Sequence, residues 1–389
     1  MDARLIDGVV ALGSAGVIVA IFHDAFEVML LPRRVKSKTR IVYYFFRGSW
    51  ALWSAAGRRF RSVDRGHNFL GLYGPLSLVV LLIVWAIGLI SAFGSIYWAL
   101  FPAQFRSHPW LSHVYFSGVT FFTLGYGDLV PHGAVSRVLS VVEAGTGLGF
   151  IAMVIGYLPV MYQLFSRREA QVILLDSVAG SPPTCTTILC RYAEGHSLDA
   201  LDRLLLEWQH WAAELLESQL SYPMLAYYRS QHENQSWLAA LTAIMDLSVL
   251  VMVGFDGVRT LQARLTFTTA RLAVIEMGRA LGAGPHLPAE ARLSSEGFAG
   301  VKTRLAAAGL HFADENEAEE KLAAFRDTYE PFVTGLAGHL LLSLPRWFAD
   351  FDQLDNWANS PRGKSAKLLL ASVQAEPESG PATGKREQG

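Results

Sequence analysis

Three long apolar runs govern what this chain can fold into. They extend from about Leu5 to Leu31, from Leu76 to Leu100 and from Val135 to Leu164. A hydrocarbon core about 30 Å thick is crossed by about 20 helical residues, so each run is long enough to span it. Inside lipid the backbone finds no water, and helices satisfy their own polar groups. The fold class this implies is an all-α membrane protein. Only 17% of the 389 residues are charged, against about a quarter in an ordinary soluble domain. That deficit is too modest for a chain that is membrane throughout, so a soluble part is expected after the third run. The first run has only Arg4 between Asp2 and Asp7 and no clean small-residue cleavage site. It is therefore expected to be a retained span and not a cleaved leader.

Basic residues orient the spans. Ten Lys and Arg lie between Arg33 and Arg65, whereas Arg106 stands alone between the second and third runs. The positive-inside rule then puts the 32–70 loop and the C-terminal half in the cytoplasm, with the N-terminus and the 101–134 loop outside. A multi-pass protein of the plasma membrane is implied. Within the basic loop, Ile41–Phe60 interleaves Tyr43, Tyr44, Phe45, Phe46, Trp50 and Trp53 with arginines. This composition suits a helix in the headgroup region, with anionic lipid as its partner. The expected divisions are 1–31 (first span), 32–70 (basic loop), 71–165 (two spans and the segment between them), 166–360 (helical cytoplasmic domain) and 361–389 (disordered tail).

The segment between the second and third runs carries the functional signal. Pro109–Phe122 starts with the residue that favours a first helical turn, is mostly apolar, and is too short to span. It is expected to be a re-entrant helix. Thr123-Leu124-Gly125-Tyr126-Gly127-Asp128 follows, and its glycines cannot continue that helix cheaply. Non-helical backbone at membrane depth is tolerated only where protein buries it or water reaches it. A monovalent cation supplies a reason for such a stretch. Shedding water, it needs oxygens without a trapping charge, and backbone carbonyls provide them. The match to the potassium-filter sequence TVGYG is one of pattern.

Tyr115 to Pro131, YFSGVTFFTLGYGDLVP, resembles the pore region of the two-transmembrane pore-loop potassium channel family. The resemblance covers roughly residues 72–165, preceded here by an extra N-terminal span. It implies K+ coordinated by the carbonyls of Thr123, Leu124, Gly125 and Tyr126 and by the Thr123 hydroxyl. Gly127 completes the filter, and Asp128 stands at its outer mouth. It also implies a homotetramer, because one chain supplies a quarter of a pore, and a gating hinge in the third span near Gly147. Gly145 and Pro159 are further candidates for bending, with close packing through small residues as the alternative. Two positions depart from the pattern. Leu124 replaces the usual Val or Ile, and Phe122 replaces a frequent Thr. Neither removes a carbonyl, but both alter packing behind the filter and so bear on selectivity.

Ionisable groups inside the spans are functional candidates. Glu143 lies in the third, either buried against hydroxyls of the re-entrant helix or protonated. His23, Asp24 and Glu27 near the inner end of the first suggest structural pairing, with a pH sensor as the alternative. Helices are expected over Ser197–Ser218, Gln235–Phe255, Val258–Leu281 and Asn316–Leu344, with Asp314 and Glu317 as a capping box before the last. Trp237–Phe255 is apolar enough for a fourth span, but Asp246 at its centre favours a buried core helix. Gln231–Gln235 reads as a solvated polar loop. Cys185 and Cys190, and His210 with Glu214, lack the spacing or number of a metal site. No nucleophile–base constellation or dinucleotide fingerprint appears, so no enzyme activity, cofactor or nucleic-acid partner is expected. The expected function is passive K+ conduction. The alternatives are a non-selective cation channel or a membrane-anchored signalling protein with a non-conducting pore fold.

Overall fold

The computed structural model describes residues 3–29, 41–60, 63–101, 110–180, 182–194, 198–230, 235–255, 258, 260–288 and 290–348. Arg33, Arg34, Lys36, Lys38, Arg40, Arg61, Pro109, Ser197, Gln231–Asn234 and the 361–389 tail lie outside the described residues. Among those described there are thirteen α-helices, a 3-10 turn and one isolated bridge, Phe255 to Phe312. The all-α expectation holds.

The apolar runs form α1 (Ala3–Met29), α4 (Tyr73–Leu100) and α6 (Ala134–Ala179). All three are long and apolar enough to cross a membrane. Between α1 and α4 lie α2 (Ile41–Gly57) and α3 (Val63–Gly71). Helix α5 (Trp110–Phe121) is the short re-entrant piece, wedged between α4 and α6. α1 packs along α4, where a side chain on Gly88 would meet Ile21 at 2.7 Å. Its other face leaves Leu5, Val9, Leu12 and Val19 exposed, as a lipid-facing helix requires.

The third run does not end near Leu164. α6 continues unbroken through Pro159 to Ala179, 46 residues in all. At about 1.5 Å per residue it reaches about 69 Å, over twice the bilayer core. Its last turns, with Val172, Leu175 and Ala179, belong to the core of the C-terminal domain. One rigid element therefore joins the two halves.

That domain comprises α7 (Cys185–Glu194), α8 (Leu198–Ser221), the 3-10 turn Pro223–Tyr227, α9 (Trp237–Val253), α10 (Leu261–Leu281), α11 (Ser295–Ala307), α12 (Glu315–Asp327) and α13 (Glu330–Leu340). α9 is its centre. Trp237–Val251 is buried throughout, enclosed by protein and shorter than a span, in agreement with the core-helix reading. Ser236 caps it by accepting from the Ala239 amide at 3.0 Å. The helix expected over Asn316–Leu344 is instead two, α12 and α13, broken at Thr328 and Tyr329. Pro331, in the first turn of α13, explains the break: it has no N–H to give and its ring clashes with the carbonyl four residues back. The Asp314 half of the expected capping box is present, accepting from the Glu317 amide at 3.3 Å.

α2 departs from the expected lipid-facing arrangement. Trp50 and Trp53 turn into protein, the first donating to the His339 carbonyl at 2.9 Å, the second stacking on Phe69 at 4.4 Å. The face left exposed carries Tyr44, Arg47, Ala51, Leu52 and Ala55.

Asp246, in the middle of α9, is fully buried and held by Arg292, whose Nη2 lies 2.5 Å from Oδ2. Tyr329 donates to Oδ1. Arg292 also meets Glu330 at 3.3 Å, and Glu330 takes a forked contact from Arg326 at 3.0 and 3.1 Å. Two carboxylates and two guanidiniums thus neutralise one another and tie α9 to the segments before α11 and around α13. Removing one partner of a buried pair leaves an uncompensated charge, at a cost of about 3–5 kcal/mol. Asp246→Ala is expected to destabilise the C-terminal domain by that order, read by thermal unfolding of the detergent-solubilised full chain, with Asp246→Asn milder. Burial pushes the His339 imidazole below its ordinary range. The unfolded chain then takes up that proton first as pH falls. Domain stability should therefore decline as pH drops below about 6.5, and His339→Gln should flatten that part of a Tm-against-pH profile.

Candidate ion-conduction site

The site begins where α5 stops. The Thr123 amide donates to the Thr120 carbonyl at 3.0 Å, and the Leu124 amide to the Val119 carbonyl at 2.8 Å. These two bonds, with Thr123 left-handed at φ +55°, make a Schellman closure of the helix. Glycine is the usual occupant of that position. A β-branched threonine there is strained by about 1–3 kcal/mol, which persists only where the surroundings impose it. The side chain that glycine would lack is a hydroxyl at the foot of the glycine-rich stretch.

The positive φ recurs at every second residue. Gly125 has φ +58° and Gly127 φ +79°, while Leu124 and Tyr126 between them keep the ordinary sign. The sign of φ thus alternates from residue to residue along the stretch. Sequence reading required this freedom of the two glycines; that Thr123 shares it emerges only from the structure. Residues 123–128 are all exposed. Within this chain nothing lies within 4 Å of where a side chain on Gly125 or Gly127 would sit. Asp128 follows the stretch, with the Tyr115 hydroxyl of α5 beside it.

Two glycines set the depth of α5 between its neighbours. A side chain on Gly94 of α4 would come 2.8 Å from the Val114 Cα, and one on Gly147 of α6 would come 1.8 Å from the Phe121 carbonyl oxygen. Gly147 is thus a packing glycine in this structure, pressed against the base of the 123–127 stretch. Gly145 and Gly149 have open space around them, and Pro159 lies three turns further along α6. Ser117 fastens the same junction. Its hydroxyl contacts the Ile90 carbonyl of α4 at 2.8 Å and makes a short bond to Glu143 of α6. Buried Tyr97 lies beside the same carboxylate. Glu143 is buried against a hydroxyl of the re-entrant helix, as the first of its two readings has it. Ser117 and Tyr97 were missed at the sequence level, since isolated polar residues in apolar helices carry no spacing signal.

Residues 78–163 match the family model described as Ion channel. This segment is an ion-channel domain. The chain is also similar to YdjJ, an uncharacterized membrane protein of Bacillus subtilis (strain 168), at 26% identity over 206 residues covering 49% of this chain and 57% of that protein. The chain thus spans little more than half the length of that curated relative. No solved structure matches it.

In the channel domain α4 is the outer helix, α5 the pore helix and α6 the inner helix. The remaining candidates fall elsewhere. His23 is exposed, with Nε2 3.9 Å from Glu27, while Asp24 and Glu27 are buried at the end of α1. Glu214 pairs with Arg167 at 2.9 Å, fastening α8 to the inner helix. Cys185 is buried and Cys190 half-buried, and no group of metal ligands forms among the described residues.

Overpacking a close helix contact costs about 1–3 kcal/mol. Gly147→Ala is therefore expected to lower the Tm of the solubilised channel and impair ion flux together. Gly145→Ala should leave Tm unchanged, so any flux effect it has would report bending of the inner helix.

Proposed function

We propose that the channel domain conducts K+ selectively, as a homotetramer with Thr123-Leu124-Gly125-Tyr126-Gly127 as its filter. The observation that carries this reading is the alternation of positive φ at 123, 125 and 127. It is the backbone arrangement by which carbonyls of Thr123, Leu124, Gly125 and Tyr126, with the Thr123 hydroxyl, would replace a cation's water. The C-terminal end of α5 is directed at this stretch, and its partial negative charge favours a cation there.

Tetramerisation is supported by what one chain leaves uncovered. The filter residues face open space, and the inner helix exposes Val138, Val141, Leu148 and Ile155 along its length. Four copies around an axis would cover the filter's outer wall and close the cation cage. The proposed orientation puts the N-terminus outside and the C-terminal domain in the cytoplasm of a plasma-membrane protein. Anionic lipid would lie against the basic loop, where Arg47, Arg58, Arg59 and Arg65 are exposed. Bending of the inner helix between Gly145 and Pro159 is the proposed route to opening.

Leu124 favours a second reading, a non-selective cation channel, because its larger side chain in place of Val or Ile changes the packing around the carbonyl ring. Fluxes of K+ and Na+ into liposomes holding the purified full chain separate the two. Potassium-selective flux lost on Gly125→Ala is the expected result, since alanine in the left-handed region is disfavoured by about 1–2 kcal/mol per residue. Equal flux of both ions would establish the second reading. Flux untouched by Gly125→Ala would overturn the filter assignment.

A further inference from the structure

The segment Tyr222–Arg229, between α8 and α9, touches the inner helix, the outer helix and the end of α13. Its side chains divide between two cores. Met224 and Leu225 pack with the membrane helices, whereas Ala226 and Tyr227 pack with the C-terminal domain.

Toward the inner helix the contacts are specific. Arg168, buried in the extension of α6 beyond Pro159, donates from Nη1 to the Leu225 carbonyl at 2.8 Å and from Nη2 to the Tyr228 carbonyl at 2.7 Å. Glu169 holds the same guanidinium at 2.9 and 3.0 Å. One turn higher, Phe165 packs on the Tyr228 ring at 5.5 Å, and about three turns higher Tyr157 reaches the Met224 sulfur at 3.9 Å. Toward the outer helix, the Tyr228 ring lies where a side chain on Gly74 would sit, 2.6 Å away.

A second arginine grips the C-terminal domain. Arg229 donates from Nη2 to the carbonyls of Leu340 and Leu341, each at 2.8 Å, at the end of α13. Tyr227 meets His339 Nε2 at 3.2 Å, and the Trp237 indole donates to the Ala226 carbonyl at 3.3 Å. Trp50 joins the same knot, packing on Tyr73 and Tyr227 at 4.8 and 5.0 Å.

We propose that Tyr222–Arg229 is a latch on the conduction gate. Arg168 fastens the inner helix to it, Tyr228 seats it on the outer helix, and Arg229 ties it to the end of α13. The inner helix moves against the outer helix only when the Arg168 grip yields, and a displacement of α13 reaches that grip through Arg229. The three attachments converge on one short segment built around the 3-10 turn Pro223–Tyr227, which lets it act as a lever between them. The proposal rests on the channel reading for its consequence but not for its geometry.

The test uses the full chain in liposomes. Arg168→Gln removes the charge-assisted pair of bonds and frees the latch. A reducible bifunctional thiol reagent joining Tyr157→Cys to Met224→Cys, in a Cys190→Ser background, fastens it. The two changes should move K+ flux in opposite directions. Arg168→Gln should shift it about tenfold, since hydrogen bonds to a charged group are strong enough to bias an equilibrium by that much. Reductant should restore the cross-linked protein. Shifts in the same direction, or none beside an active wild type, would overturn the latch. If wild-type liposomes carry no flux the channel reading fails, and hydrogen exchange decides the latch. Arg168→Gln should then raise exchange in 157–168 and 222–229 ahead of 237–251; a uniform rise would make Arg168 a support of the fold and nothing more.

Discussion

The contact between the Phe121 carbonyl and Gly147 is the constraint on which the membrane part of this molecule depends. A side chain at position 147 of the inner helix would push α5 away and shift the 123–127 stretch with it. Gly94 does the same service on the outer helix, and the Ser117 hydroxyl sits between the Ile90 carbonyl and Glu143, within hydrogen-bond reach of each. The Schellman closure at Thr120–Leu124 then passes that fixed depth to the 123–127 backbone, where the strained Thr123 and the two left-handed glycines follow in alternation. A buried carboxylate in a membrane helix is costly unless it is satisfied. Glu143 meets the Ser117 hydroxyl through Oε1, and this junction ties α6 to α5.

The second half of the molecule depends on charge of a different kind. Asp246, Arg292, Glu330 and Arg326 form a buried and balanced set, with Tyr329 as a further donor. Such a set adds little stability over an apolar core of equal volume, but it punishes any other arrangement of the same helices. It therefore keeps α13 and the end of α12 in a defined place against α9. The inner helix enters this domain as a continuous rod, and the Tyr222–Arg229 segment braces that rod where it leaves the membrane helices. The membrane helices and the C-terminal domain thus share one continuous helix and one bracing segment.

Much was legible before any fold was known because membrane and filter constraints are local. Apolar runs of sufficient length, a proline at the start of a short helix, and glycine at every second position of a hexapeptide each act on the residues that carry them. Where sequence reading erred, the cause was equally local. Asn316–Leu344 has continuous helical periodicity, and Pro331 was undervalued as a break. Ile41–Phe60 has the composition of a lipid-facing helix, yet Trp50 and Trp53 are spent on protein contacts, because an aromatic residue buries as well against His339 and Phe69 as against lipid.

By itself the sequence determined the three apolar helices, the short helix between the second and third, the glycine positions of the 123–127 stretch and the helical character of the C-terminal half. Hydrophobic length and backbone freedom are properties of consecutive residues, so they can be read in order. Only the tertiary structure decided that Gly147 serves packing, that Glu143 answers to Ser117, that α6 runs on to Ala179, and that Arg168 holds two carbonyls nearly 60 residues away. Each of these is a close approach between segments distant in the chain. Such approaches are set by how helices pack, and no spacing along the sequence encodes them.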